Sequence, residues 1–177
     1  MTIQITDYSD VRERARALGL IEPAGLVFLP RNFDEADTIE EFVYEGSLPD
    51  VRLLLREAGI ETTKLEPSGT SSKLVKENAF EWILPTLFIP GAIALYRSNP
   101  DLAKSIINKT WDHSKIVFVA VTGRTKIKWS ILIEDERAKK TKKISYEGPA
   151  EELEKVRDFL EKTLEEIALV EEKEKEK

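Results

Sequence analysis

The chain of 177 residues contains no cysteine, one histidine and one methionine. Without cysteine it forms neither disulfides nor thiolate-bound metal sites, and a zinc site would need mostly carboxylates, which is unusual. We therefore expect no metal and no cofactor. The first ten residues also lack the basic start and the apolar stretch of a secretory signal, so we expect a cytoplasmic protein.

Signatures of catalysis are missing as well. His113 stands between Asp112 and Ser114, which are triad residue types, but neighbours in sequence cannot align as nucleophile, base and orienting group. Residues 69–73 place a lysine after Gly-Thr-Ser-Ser but lack the second glycine of a phosphate-binding loop. We therefore predict no catalytic residues, and an enzyme without a recognisable motif stays open only as a further alternative.

Charge is distributed unevenly along a chain whose formal net charge is −6. An acidic group at residues 34–41 lacks the glycine and the alternating spacing of a calcium loop, so we interpret it as an exposed acidic surface. Residues 114–146, by contrast, hold nine basic and three acidic side chains. This segment is the one basic region of an acidic protein.

The basic region contains a candidate polyanion site. A hairpin over residues 124–143 groups seven side chains that could contact phosphates: Arg124, Lys126, Lys128, Lys139, Lys140, Lys142 and Lys143. The large aromatic residues of the hairpin are assigned to the core, so a platform for stacking bases is missing. A polyanion or nucleic-acid accessory protein is therefore the alternative function, beside the plainer interpretation of a charged edge that resists strand pairing.

The segment Trp82–Tyr96 contains 15 residues and no charge. It is shorter than the roughly 20 residues that span a bilayer, so we expect no transmembrane span. Pro85, Pro90 and Gly91 predict two short helical pieces with a bend. The segment is either buried core or an interface with a protein partner or a second copy. Such an interface would use five large side chains: Trp82, Leu87, Phe88, Ile93 and Tyr96.

Apolar periodicity and turn signals predict an α+β protein. The predicted order is a small α/β lobe (1–66), a linker (67–72), an apolar helical segment (73–113), a lobe with a three-stranded antiparallel meander and a long helix (114–170), and a charged tail (171–177). In the meander, a turn at Gly123-Arg124 would place Phe118 opposite Trp129. By elimination, we expect a non-enzymatic interaction or regulatory module that acts through protein contacts.

Overall fold

The computed structural model describes residues 2–57, 59–70, 73–75, 81–101, 104, 108, 126–135, 139–149 and 152–175. The elements are, in chain order, β1 (Thr2–Tyr8), α1 (Val11–Ala17), β2 (Val27–Leu29), a 3₁₀ turn (Ile39–Glu41), β3 (Val43–Glu45), α2 (Leu48–Glu57), β4 (Thr63–Lys64), β5 (Lys73–Val75), β6 (Glu81–Ile83), β7 (Thr86–Ile89), α3 (Ala92–Ser98), β8 (Lys126–Asp135), β9 (Lys140–Gly148) and α4 (Leu153–Lys175). Helices packed with a mixed sheet confirm the α+β class.

The main sheet has the strand order β1-β9-β8-β7-β2-β4, and β6 also pairs with β8. Strands β1, β9 and β8 form an antiparallel set, whereas β7 runs parallel to β8. A separate small sheet pairs β3 with β5. The main sheet takes strands from three of the predicted segments (1–66, 73–113 and 114–170), so these segments share one sheet. The exact boundaries between them stay predictions.

Local signals mark the ends of the N-terminal helices. The Asp10 side chain accepts hydrogen bonds from the backbone N–H groups of Arg12 and Glu13, which caps α1. Gly19 follows with a φ of 71°, a left-handed conformation that glycine adopts without strain. Gly59, with a φ of 76°, has the same role after α2.

The apolar middle segment is not two helical pieces. Between Trp82 and Tyr96 it forms most of β6, all of β7 and the first part of α3. Both strands pair with β8. Three residues lie between Ile83 and Leu87, whereas only two lie between their pairing partners, Lys128 and Ile131. The extra residue makes a bulge, and Pro85 lies within it, where no ladder hydrogen bond from its nitrogen is needed.

The C-terminal region is described over two strands and a long helix, and the three-stranded meander stays a prediction. The predicted third strand is β9, and Ile127, Trp129 and Ile131 lie buried together in one core cluster. The long helix is α4, which extends into the charged tail as far as Lys175. The predicted first strand of the meander, with Phe118 and the turn at Gly123-Arg124, lies outside the described residues.

Two hydrophobic clusters hold these elements together. The first joins β8 and β9 to α3 and α4 and includes Ile93, Trp129 and Leu160. The second joins α1 and α2 to β2 and β7 and includes Phe28 and Phe88. Two half-buried residues of the chain, Val51 and Ile89, pack against both clusters, so the core is continuous.

Candidate functional site

The residues proposed for an apolar interface lie inside the chain. Leu87, Phe88, Ile93 and Tyr96 are at most 6% exposed. Trp82 pairs through its backbone with Ile127, but its side chain lies outside what the structure describes. The chain itself therefore covers this segment, and its use by a partner stays a prediction that would require the fold to open. In the described part of the chain, no helix combines the length and the apolar character needed to cross a membrane.

The seven basic candidates do not form one surface. Successive side chains of a strand point to opposite faces of the sheet, and directly paired residues share a face. Lys128 pairs with Glu147 and Lys143 pairs with Leu132, so Lys126, Lys128 and Lys143 lie on one face. Lys140 and Lys142 lie on the other face. Lys139 has a φ of 49° in the connection between β8 and β9, and Arg124 lies outside the described residues.

Several of these lysines contact neighbouring groups. Lys126 Nζ lies 2.5 Å from Glu147 Oε1, and the hydrogen bond from Lys126 holds the pKa of the Glu147 carboxyl below its ordinary value. Lys142 pairs in the same way with Asp7 on the opposite face. The Lys143 ammonium lies 5.6 Å from the centre of the Tyr8 ring, within the range of a cation–π contact.

A groove of about 500 Å³ opens on the face that carries Lys128, Ser130, Lys143, Ser145 and Glu147. We call this the polar face. The hydroxyl oxygens of Ser130 and Ser145 lie 3.3 Å apart on the floor of the groove. Its wall is formed by Arg31, Glu45 and the β-bulge at residues 83–86. The volume is within the range of roughly 300–1,000 Å³ that is typical of small-molecule sites.

The groove ends where the N-terminal elements cover the polar face. Further along β8, Leu132 and Glu134 share this face but are buried, at 0% and 5% exposure. Arg12 of α1 binds Glu134 through two hydrogen bonds, from Nε to Oε1 at 2.6 Å and from Nη2 to Oε2 at 2.9 Å. The backbone N–H of Gly91 donates a third bond of 3.1 Å. This ion pair links α1 to β8 over the covered half of the polar face, and the other half is open.

A second buried polar cluster joins Tyr44 of β3 to Glu66, which lies just after β4. The Tyr44 hydroxyl donates to the Glu66 carboxylate, and Lys64 Nζ lies 2.6 Å from the other oxygen. Burial, with the Glu66 charge, raises the pKa of Tyr44 far above its ordinary value. Neither Tyr44 nor Glu66 lines the groove. Because the buried groups satisfy one another, we interpret the cluster as a structural tie between two strands.

Strand β1 is the outermost strand of the main sheet. It pairs with β9 over seven residues, and no strand in the described ranges pairs with its other edge. Residues 4–7 are all exposed, and Ile5 is 42% exposed. No strand was predicted here, although Ile3 and Ile5 show the alternation that is typical of one.

The remaining candidates add no further site. The acidic residues at 34–41 are exposed, as predicted for a solvated surface. Within the described ranges, no three potential metal ligands lie close enough together to hold an ion. His113 lies outside those ranges. No protein-family model, curated protein or solved structure matches this chain. The groove on the polar face and the outer edge of β1 therefore remain as the candidate sites among the described residues.

Proposed function

We propose that this protein is a non-enzymatic interaction module that acts through protein contacts at the outer edge of β1, and that its partner is a second copy of the same chain. The observation that supports this proposal is the exposed β1 edge. An edge strand presents a row of backbone N–H and C=O groups that can pair with another strand. A cysteine-free chain suits the reducing cytoplasm, where we place this association.

β1 lacks the features that usually protect an edge. It contains no proline, and its unbroken register with β9 leaves no bulge. Its one charged residue is Asp7, near the end of the strand. Residues 2–6 are uncharged and offer five consecutive positions for a new strand. Proteins commonly protect such edges with lysine, proline or bulges, so an unprotected one favours pairing with a partner.

Symmetry determines how two copies would pair. In a two-fold dimer the same strand pairs with itself in antiparallel orientation, and residues on one face must meet residues on the same face. An axis at Gln4 places Ile3 opposite Ile5 of the second copy, on the face where Ile3 packs against the core. An axis at Ile5 would instead place Ile3 opposite Asp7. Apolar cross-strand pairs stabilise a sheet, so we favour the axis at Gln4.

Replacing Ile5 with glutamate should separate the dimer without unfolding the chain. The substitution removes an apolar contact and places a carboxylate against Ile3 of the second copy. We expect the dimer Kd to rise about tenfold or more, equivalent to about 1.4 kcal/mol or more. Sedimentation velocity at several concentrations measures the Kd, and circular dichroism checks the fold.

The matched control is Ile21→Glu, because Ile21 is 88% exposed and lies outside β1. It should leave the sedimentation unchanged. A wild-type chain that remains monomeric at all concentrations would overturn the proposal. A dimer that survives Ile5→Glu would show that the interface lies elsewhere.

Introduced cysteines test the register, because the chain has none of its own. With the axis at Gln4, the two Gln4 residues face each other at about 4.5–5.5 Å between Cα atoms, a separation that a disulfide can bridge. Gln4→Cys should therefore form a covalent dimer on mild oxidation, seen on a non-reducing gel. Thr6→Cys should not, since the two Thr6 residues would lie about 13 Å apart. Efficient cross-linking of Ile5→Cys alone would move the axis to Ile5 and contradict the register.

A further inference from the structure

We infer that the groove on the polar face binds a small phosphorylated molecule. The inference rests on the side chains that line the groove and does not depend on the association through β1. The groove combines cations from two directions with hydroxyl groups between them. It is also large enough for a ligand the size of a nucleotide, within the usual range of about 300–1,000 Å³.

Among the described residues that line the groove, cations outnumber carboxylates. Arg31 on the wall and Lys128 and Lys143 on the floor face two carboxylates, Glu45 and Glu147. Glu147 is already contacted by Lys126 from beside the groove, at 2.5 Å. Arg31 Nε lies 3.9 Å from Glu45 Oε1, which is a loose contact that leaves guanidinium donors for a ligand. The excess positive charge favours an anion.

The hydroxyl groups are placed for hydrogen bonds to such an anion. Along β8 and β9, the Ser130–Ser145 pair lies between the Lys128–Glu147 pair and the Leu132–Lys143 pair. Pairs on one face are about 7 Å apart along the strand, so the two lysines flank the serines from opposite ends. Phosphate oxygens accept hydrogen bonds from both ammonium and hydroxyl groups. A phosphate placed over the serines would lie within reach of both lysine side chains.

The distribution of the lysines favours a small ligand over a nucleic-acid strand. Lys140 and Lys142 lie on the opposite face of the sheet and cannot contact a ligand in the groove. Of the lysines that the structure describes on β8 and β9, three share the polar face, and the covering elements close that face beyond Ser130. A polymer would need a longer basic track and stacking rings, as general single-strand binders have. The floor of the groove matches a compact anion instead.

Two adjacent lysines on one strand provide the test. Isothermal titration calorimetry at low ionic strength would measure the binding of inorganic pyrophosphate and of adenosine monophosphate to the whole chain. Lys143→Gln should weaken binding about tenfold or more, because charge-assisted hydrogen bonds contribute strongly. Lys142→Gln removes the same charge one residue away, on the other face, and should leave the Kd within about twofold. Lys128→Gln should weaken binding as Lys143→Gln does.

The outcomes separate the inference from its alternatives. Equal losses from Lys142→Gln and Lys143→Gln would show non-specific attraction to a basic strand and overturn the inference. No binding of either probe by the wild-type chain would also overturn it. Tight binding of a single-stranded oligonucleotide without binding of the small probes would do the same, in favour of a polymer. Circular dichroism confirms that each variant is folded, and Ser145→Ala, which keeps all charges, should weaken binding of the small probes by a smaller factor.

Discussion

Replacing Phe88 with alanine should lower the free energy of unfolding by about 3–5 kcal/mol. Phe88 is fully buried in β7, where it pairs with Val27 on one side and Leu132 on the other. Removing the ring loses its transfer free energy and leaves a cavity that the sheet cannot close. The loss is large beside a typical total stability of about 5–15 kcal/mol. Urea denaturation followed by circular dichroism measures it.

The control for this variant is Leu53→Ala on α2. Leu53 is 44% exposed, so its truncation should change the free energy of unfolding by about 0.5 kcal/mol or less. Comparing the two variants distinguishes a core role of Phe88 from a role in an interface. If Phe88 served a partner surface, its truncation would alter the oligomeric state and leave the stability of the monomer unchanged, which would contradict the burial seen here.

Features that depend on neighbours in sequence could be predicted. Asp10 caps α1, Gly19 and Gly59 end helices, and each acts within one turn of its own position. The apolar run Leu26–Leu29, which Pro30 ends, is typical of a buried strand, and Val27–Leu29 form β2. These signals are local and do not depend on the rest of the fold.

The middle segment could not be predicted in the same way. A strand buried on both faces and a buried helix both give a continuous apolar run, so periodicity does not separate them. Pro85 was interpreted as a helix bend, whereas it lies in a bulge between β6 and β7. These residues form strands because they pair with β8, and the paired residues are more than 40 positions away in the chain.

The candidate site was predictable in part. The alternation of side chains in a strand already places Lys142 and Lys143 on opposite faces, so the splitting of the basic cluster could have been found from the sequence. The wall of the groove could not, because Arg31 and Glu45 come from the N-terminal region and reach the polar face only through the tertiary fold. Strand β1 was missed because it is polar on one face, and on the other face Ile3 is half-buried while Ile5 and Asp7 are exposed.

Replacing Arg12 with methionine should lower the free energy of unfolding by as much as a core truncation does. It leaves the Glu134 carboxylate, whose side chain is 7% exposed, without its bidentate partner. Removing one partner of a buried ion pair typically costs about 3–5 kcal/mol, since the remaining charge is desolvated. The matched control is Arg16→Met on the same helix. The Arg16 side chain is 61% exposed, and its loss should change the stability little.

A double variant shows whether the loss of stability in Arg12→Met comes from the unpaired charge of Glu134. In Arg12→Met with Glu134→Gln, the neutral amide keeps an oxygen for the backbone N–H of Gly91 but carries no charge into the core. We therefore expect the double variant to unfold at a higher urea concentration than Arg12→Met alone. If both variants were equally unstable, the loss would come from other contacts of Arg12, such as its ion pair with Glu22, rather than from the unpaired Glu134 charge. In that case the ion pair would not be what holds α1 against the closed half of the polar face.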